Sequence, residues 1–167
     1  MATETPHDAT IRHDMRPGDL GRVIEQHAEL YAAEFGFDRR FEAYVAETLG
    51  EFGRLFRPHL DRLWLAERDG RLLGSIGVIG RDDNAAQIRW VLLDPAARGT
   101  GLGRRLLDTA HAFCREADYT SIFLWTVEGL AASARLYVSA GFRKTETKPA
   151  TVLWGATLCE ERYDLAL

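Results

Sequence analysis

The stretch that decides the fold is LLDPAARGTGLGRR, residues 92–105. Its glycines lack a Cβ atom, so the backbone N–H groups of residues 99–103 can approach a ligand closely. A helix is predicted to begin directly after them, and the N–H groups of a first helical turn attract anions because no carbonyl pairs with them. Three arginines add positive charge, and residues 98–107 contain no carboxylate. The stretch therefore predicts a site for a phosphate-bearing ligand, with a flexible entry to the helix as the simpler alternative.

Two better-known phosphate-binding loops do not fit these residues. A Walker A loop needs a Gly-Lys pair followed by Ser or Thr, and the only lysines, Lys144 and Lys148, do not follow a glycine. A dinucleotide fingerprint needs GxGxxG after the first strand of a βαβ unit. This chain has GxGxG in mid-chain, with Arg104 in place of the third glycine. The spacing therefore excludes both loop types.

Periodicity around this stretch predicts an α+β chain. Apolar residues at three- and four-residue intervals indicate two early helices, and the Asp69-Gly70 pair between two apolar runs indicates a hairpin. We expect a single domain over residues 10–167 after a flexible lead-in over residues 1–9. The predicted helices span 19–35, 38–57, 102–113 and 131–140. The predicted strands span 11–15, 63–67, 72–79, 87–93, 121–127, 142–147 and 157–165.

Composition and net charge limit the kind of protein that this sequence can encode. The 167 residues carry a net charge of −4 and are 46% hydrophobic and 28% charged, as in an ordinary globular domain. The acidic balance argues against binding of duplex nucleic acid, which needs a clustered basic excess. Cys114 and Cys159 show no metal-ligand spacing, so we expect no metal site. No signal peptide or membrane-spanning run is visible, so we expect a cytoplasmic protein that binds neither membrane nor nucleic acid.

A family resemblance rests on two motifs. The pattern Arg98-x-x-Gly101-x-Gly103 resembles the acetyl-coenzyme A signature of the GNAT acetyltransferase superfamily. About 30 residues later, SARLYVSAGF at residues 133–142 is similar to the second signature, a helix ending in Leu-Tyr and then Gly-Phe. Two motifs at the right separation are more specific than either alone. The chain looks most like the acetyltransferase half of MarR-type regulator fusions, without the DNA-binding half.

The resemblance implies a GNAT-like fold, which is a mostly antiparallel central sheet with two splayed strands, flanked by about four helices. The strands expected to diverge span residues 87–93 and 121–127. It also implies acetyl-CoA as acyl donor, with pantetheine in the gap between these strands and the pyrophosphate on the glycine stretch. The cofactor-binding residues that the match implies are Leu92, Leu93, Arg98, Gly99, Thr100, Gly101, Leu102, Gly103, Arg104, Ser133 and Tyr137.

Tyr137 is also implied as a catalytic residue, because its counterpart in the family can protonate the departing thiolate. On its own, a tyrosine beside Leu136 on an apolar helix is usually a packing residue. One position departs from the family pattern, since Leu130 stands where many members have an asparagine that contacts coenzyme A. We therefore expect one cofactor contact fewer near residues 128–132.

A general base is expected for the acceptor, because an amine attacks only in its deprotonated form. Gln87 and Arg89 stand on the strand where several family members have a glutamate, so Glu34 and Glu128 are the candidate bases. Arg89 is either a partner for an acceptor carboxylate or part of a solvated strand face. The acceptor-binding candidates are His27, Tyr31, Trp90 and Trp125. Core packing is the alternative role for each of these four.

The sequence thus predicts an acetyl-CoA-dependent N-acetyltransferase that moves an acetyl group directly to an amine of a small molecule or peptide. A non-catalytic acyl-CoA-binding sensor or interaction module is the alternative, motivated by Leu130 and the missing strand glutamate. A nucleotide-binding protein unrelated to acyl transfer is a third interpretation. The resemblance is also compatible with a homodimer, and it does not identify the acceptor.

Overall fold

Helical and alternating periodicities in the chain produce four α-helices and nine strands over residues 9–167, the part that the computed structural model describes. The helices are α1 (Asp19–Phe35), α2 (Arg39–Leu55), α3 (Leu102–Glu116) and α4 (Ala131–Ser139). The strands are β1 (Thr10–Arg12), β2 (Arg62–Arg68), β3 (Arg71–Gly80), β4 (Ala85–Leu93), β5 (Ser121–Val127), β6 (Arg143–Thr147), β7 (Thr151–Leu153), β8 (Ala156–Leu158) and β9 (Glu160–Ala166). The predicted α+β order is confirmed.

The second helix shows how local sequence sets an element. Asp38 caps α2 because its carboxylate accepts a hydrogen bond from the Arg40 backbone N–H at 2.9 Å. The buried face of α2 is formed by residues at three- and four-residue intervals, Phe41, Val45, Leu49 and Phe52. These side chains share one apolar cluster with Leu63 and Leu65 of β2. The first two helices therefore cover one face of the sheet.

The opposite face of the sheet is covered by α3. Leu106 and Leu107 of this helix are buried against Ile76 and Val78 of β3. Ala9 is buried in the same cluster, so it belongs to the folded domain. The rest of the lead-in predicted over residues 1–9 lies outside the described residues.

Seven strands form the main sheet in the order β1-β2-β3-β4-β5-β9-β6. Every neighbouring pair is antiparallel except β4 and β5, which run parallel. These two strands pair only through residues 85–87 and 121–123. Beyond that point they have no mutual register, so the predicted splay is confirmed. The gap opens toward the glycine stretch that follows β4.

A β-bulge distorts β4 where the gap begins. The register between β3 and β4 shifts between Ser75 and Gly77, and Trp90 adopts a positive φ of 51°. The buried Ser75 hydroxyl donates a hydrogen bond of 2.7 Å to the Trp90 carbonyl, which satisfies that group inside the bulge. The Trp90 ring lies close to Gly77, where an added Cβ would be only 2.6 Å from it. Ser75 and Gly77 therefore fix the position of Trp90.

The last strand departs from the prediction. The sequence indicated one strand over residues 157–165, whereas β7 and β8 form a separate two-stranded hairpin and the main sheet resumes with β9 at Glu160. Trp154 and Gly155 both have positive φ, as a two-residue hairpin turn requires. The Asp38 N–H donates to the Trp154 carbonyl at 2.9 Å. The predicted span was wrong because the hairpin pairs with itself and rests on the start of α2.

No helix within residues 9–167 is long and apolar enough to cross a bilayer. No group of three or more His, Cys, Asp or Glu side chains in that range is arranged to hold a metal ion.

Candidate active site

The glycine stretch borders a cleft of about 520 Å³, which we call the glycine-loop cleft. Its walls come from the C-terminal half of α1, the end of β4, the loop over residues 98–103, the start of α3 and the start of α4. The cleft therefore lies at the end of β4, where this strand has separated from β5.

The floor of the glycine-loop cleft is rich in unpaired backbone donors. In the described chain, the N–H groups of residues 99–104 donate to no protein acceptor, and the first backbone bond of α3 is from Arg105 to Gly101. Gly99 and Gly101 have φ of 73° and 85°, and a Cβ at either would meet no atom within 4 Å. An open, donor-rich helix N-terminus fits the pyrophosphate of a nucleotide-type cofactor.

Most of the residues predicted to bind the cofactor line this cleft. They are Leu92, Leu93, Arg98, Gly99, Gly101, Gly103, Arg104 and Ser133. The side chains of Thr100 and Leu102 do not: the Thr100 hydroxyl donates to the Ala97 carbonyl at 2.6 Å, and Leu102 is buried in the core. Neither residue is part of the cleft lining, and their side chains anchor the glycine stretch to the rest of the domain.

Glu34 lies in the glycine-loop cleft rather than where the acceptor is expected. Its carboxylate accepts a hydrogen bond of 2.8 Å from Arg98 Nη2, which joins α1 to the glycine stretch. Glu34 is not among the residues of the second cavity described next. Its role as general base stays a prediction, and the contact that the structure shows for its carboxylate is the ion pair with Arg98.

A second cavity of about 140 Å³ lies behind the first, and we call it the aromatic cavity. Its rings come from α1, α2, β4, β5, α4 and the β7–β8 hairpin, and they are Tyr31, Phe37, Phe41, Tyr44, Trp90, Trp125, Tyr137 and Trp154. Tyr31, Val91, Leu130 and Ser133 line both cavities. The two spaces therefore meet at these four residues.

His27 presents a neutral imidazole to the aromatic cavity. Its Nδ1 lies 2.8 Å from the Val23 carbonyl. A carbonyl can only accept, so Nδ1 carries the proton and Nε2 keeps its lone pair. Burial lowers the pKa of His27 to about 4. The ring stacks on Tyr31, with centroids 6.1 Å apart, and burial together with nearby Glu34 raises the pKa of Tyr31 to about 12.

Tyr137 lies at the inner end of the aromatic cavity. Its side chain is buried between Phe142 and Tyr163, with ring centroids 6.1 and 5.8 Å away. Its hydroxyl forms no hydrogen bond with any described residue, although it lines the cavity. Burial, and then Tyr31 and Tyr163, raise its pKa above the ordinary value of 10.0. Tyr137 is therefore protonated at neutral pH and free to donate.

Residues 24–142 match the model of the acetyltransferase (GNAT) family, and they include the glycine stretch, both diverging strands and Tyr137. The chain belongs to this family. An N-acetyltransferase from Staphylococcus aureus Mu50 superimposes with a TM-score of 0.75 at 16% identity, covering 95% of this chain and 98% of that one. The ribosomal-protein-alanine N-acetyltransferase of Brucella melitensis gives a TM-score of 0.70 at 22% identity, covering 95% and 99%. The GNAT-like fold is confirmed.

Curated GNAT relatives match this chain over a smaller share of their own length than the two solved structures do. An uncharacterized N-acetyltransferase of Schizosaccharomyces pombe is 29% identical over 143 residues, which cover 84% of this chain and 86% of that protein. A mycothiol acetyltransferase of Thermobispora bispora is 36% identical over 138 residues, covering 78% of this chain and 46% of that protein. A mycothiol acetyltransferase of Thermomonospora curvata is 37% identical over 82 residues, covering 49% and 28%. The chain thus spans less than half the length of these mycothiol acetyltransferases.

Glu128, the second predicted base, lies outside both cavities of this GNAT domain. Its side chain is exposed, and its backbone N–H donates to the Cys159 carbonyl at 2.8 Å. The carboxylate that does line the aromatic cavity is Glu160, at the start of β9. Lys148 Nζ donates to Glu160 at 3.1 Å and lies 4.1 Å above the Trp125 ring. Glu128 as general base stays a prediction, and Glu160 is the carboxylate that borders the aromatic cavity.

Five residues singled out from the sequence lie together, because His27, Tyr31, Trp90, Trp125 and Tyr137 all line the aromatic cavity of the GNAT fold. Two rings of α2, the ring of Phe37 before α2 and the carboxylate of β9 were not singled out. The α2 rings were interpreted only as part of a core-facing stripe. Gly155 between two short β-like runs is a turn signal, and it could have separated Glu160 from the preceding strand. The missed residues are Phe37, Phe41, Tyr44 and Glu160.

Proposed function

We propose that this chain transfers the acetyl group of acetyl-CoA directly to an amine of a small molecule or peptide. The observation that carries the proposal is the junction between the two cavities, at Tyr31, Val91, Leu130 and Ser133. The chain belongs to a family of acetyltransferases. In it, the glycine-loop cleft would hold the donor and the aromatic cavity the acceptor, so the two would react where these spaces meet. Direct transfer needs no covalent enzyme intermediate.

The donor would be held by backbone rather than by many side chains. The N–H groups of residues 99–104 would bind the pyrophosphate, with Arg98 and Arg104 adding charge at the rim. Leu92 and Leu93 would contact pantetheine at the open edge of β4. Acetyl-CoA supplies the activated thioester, and backbone N–H groups near the bulge would polarise its carbonyl.

The chain's own groups account for the proton transfers. The amine nitrogen bonds to the acetyl carbon as the C–S bond breaks, and the sulfur takes a proton from the Tyr137 hydroxyl. The proton lost by the amine passes to Glu160, directly or through one water, because Glu160 is the carboxylate in the described lining of the aromatic cavity. Proton return from Glu160 to Tyr137 through solvent completes the cycle. Glu34 and Glu128 take no part.

A thiol-release assay with an amine panel tests this proposal, with calorimetry of acetyl-CoA binding beside it. We expect acetyl-CoA to bind and thiol release to depend on the amine. Glu160→Gln should lower kcat by about tenfold or more, with little change in acetyl-CoA affinity. Binding without release over a broad panel would instead support the acyl-CoA sensor. Absence of binding at high micromolar acetyl-CoA would contradict both interpretations.

Two further parts of the proposal concern location and assembly. Cys114 and Cys159 are both unpaired, which is compatible with a reducing, cytoplasmic compartment. Dimer formation stays a prediction from the family resemblance, and light scattering in solution tests it.

A further inference from the structure

Arg89 is the only cationic side chain among the described residues that line the aromatic cavity. It is half-buried, and its guanidinium makes one hydrogen bond, from Nη2 to the Tyr44 hydroxyl at 2.6 Å. None of the ion pairs formed by residues 9–167 includes it. A guanidinium carries five N–H donors, so most of those on Arg89 are free to bind a ligand in the cavity.

The surroundings of Arg89 provide little compensation for its charge. The guanidinium lies 5.0 Å from the centroid of the Trp90 ring and 5.5 Å from that of Tyr44. The carboxylate in the described cavity lining, Glu160, is already paired with Lys148. Burial lowers the pKa of Arg89, and the opposing effects of Tyr44 and of Glu51, which is nearby but forms no ion pair with Arg89, do not offset the loss of hydration. The cavity lining therefore offers Arg89 no ion-pair partner, and an anionic ligand can fill that role.

We propose that Arg89 binds a carboxylate of the acceptor, so that the acceptor is a small amine carrying both a carboxylate and an apolar side group, as free apolar α-amino acids do. This inference rests on the proposed acetyl transfer. The planar fork of an arginine matches the two oxygens of a carboxylate, and the low polarity of the walls strengthens that contact.

The rest of the cavity fits the same class of acceptor. Its volume of about 140 Å³ is close to that of cavities that hold a benzene-sized molecule, which favours a small acceptor. The rings of Phe41 and Trp154, 5.0 Å apart, form an apolar wall for it. Glu160 lies in the lining contributed by β9, where it can receive the ammonium end of the acceptor. An amino acid thus meets complementary groups at each of its three parts.

The experiment compares matched acceptors that differ only in the carboxylate. Acetylation is measured for leucine against leucinamide and for phenylalanine against phenylalaninamide, each with acetyl-CoA. We expect kcat/KM to favour the acid by about 100-fold or more, because an amide leaves Arg89 without its anion. The amides have the less basic amine, so intrinsic reactivity works against this preference. Arg89→Gln should reduce the acid-to-amide ratio by at least about tenfold, and Arg89→Lys by less.

A second experiment measures carboxylate binding to the protein in the absence of turnover. Quenching of tryptophan fluorescence by N-acetyl-leucine reports carboxylate binding beside Trp90. We expect Arg89→Gln to weaken this binding about tenfold or more. Arg54→Gln is the matched control, because it removes the same charge from an exposed position on α2 outside both cavities. It should keep the wild-type ratio and the wild-type quenching, and circular dichroism verifies that each variant is folded.

The outcomes separate this inference from the proposed function. If the amides are acetylated as well as the acids, and Arg89→Gln leaves the ratio and the quenching unchanged, carboxylate binding by Arg89 is wrong while acetyl transfer stands. If acetyl-CoA does not bind and no amine is acetylated, the proposed function is wrong and the inference is overturned with it.

Discussion

Arg98 Nη2 donates a hydrogen bond of 2.8 Å to the Glu34 carboxylate, across the mouth of the glycine-loop cleft. The bond joins the last turn of α1 to the loop that precedes α3. Arg98 also lies beside the six free N–H groups that suit a pyrophosphate. On the proposed function, Glu34 therefore competes with the phosphates of the donor for the same guanidinium.

Replacement of Glu34 tests this competition. Glu34→Gln should lower the KM for acetyl-CoA about threefold, since the pair is partly exposed and such pairs contribute little. We expect kcat to be unchanged, because Glu34 does not line the aromatic cavity. Steady-state kinetics at low salt measure both, with Glu29→Gln on the exposed side of α1 as control. A large fall in kcat would restore Glu34 as the base.

A glycine of the loop tests the placement of the pyrophosphate. Gly101→Glu should weaken acetyl-CoA binding by about 100-fold or more, because it adds a negative charge beside the free N–H groups and strains a backbone with φ of 85°. Calorimetry measures the affinity. Gly50→Glu is the matched control, since Gly50 is exposed on α2 with open space around it. Normal binding by Gly101→Glu would place the pyrophosphate elsewhere.

The Tyr137 hydroxyl is predicted to act as an acid. Tyr137→Phe should lower kcat about 100-fold and leave acetyl-CoA affinity unchanged, because only the proton donor is lost. Tyr163→Phe is the control, since Tyr163 is buried against Tyr137 but does not line the cavity. Stopped-flow or steady-state kinetics measure kcat for each variant. Equal kcat values for wild type and Tyr137→Phe would show that Tyr137 is only a packing residue.

The buried His27 predicts a dependence of stability on pH. Its pKa is about 4 in the folded state against an ordinary 6.5, so the unfolded chain binds a proton that the folded chain does not. The free energy of unfolding should therefore fall as pH drops from 6.5 to 4, by about 3 kcal/mol from this residue. Above 6.5 the contribution is fully present.

Denaturant unfolding over that pH range checks the prediction. His27→Gln should flatten the dependence, although its stability at pH 7 is lower because packing is lost. Burial also lowers the pKa of His111, so part of the slope remains in both proteins. Parallel curves for wild type and His27→Gln would show that His27 has no such role.

The sequence predicted those features that short segments encode. The Asp69-Gly70 turn closes a two-residue hairpin with Arg68 opposite Arg71, as its two residues with positive φ require. The glycine stretch likewise predicted a loop of unpaired N–H groups directly before a helix, which the structure has before α3. Such features depend on backbone conformation within a few residues, which local composition controls.

The aromatic cavity was predicted only in part, because it is assembled from segments distant in sequence. Tyr31, Trp90 and Trp154 come from a helix, a bulged strand and a hairpin. Their proximity depends on the bulge in β4 and on how the hairpin rests on α2. Glu160 was not singled out from the sequence for the same reason: this carboxylate reaches the cavity through the pairing of β9 with β5. The roles of Glu34 and Glu128 as bases stay predictions.

The most direct measurement follows an isotope-labelled acetyl group from acetyl-CoA to an amine, by mass spectrometry of the products. The account predicts labelled N-acetyl product with the wild-type protein, more from an apolar amino acid than from its amide, and none above background with Gly101→Glu. Bound acetyl-CoA with no labelled amine over a broad panel, or transfer by Gly101→Glu at the wild-type rate, would contradict it.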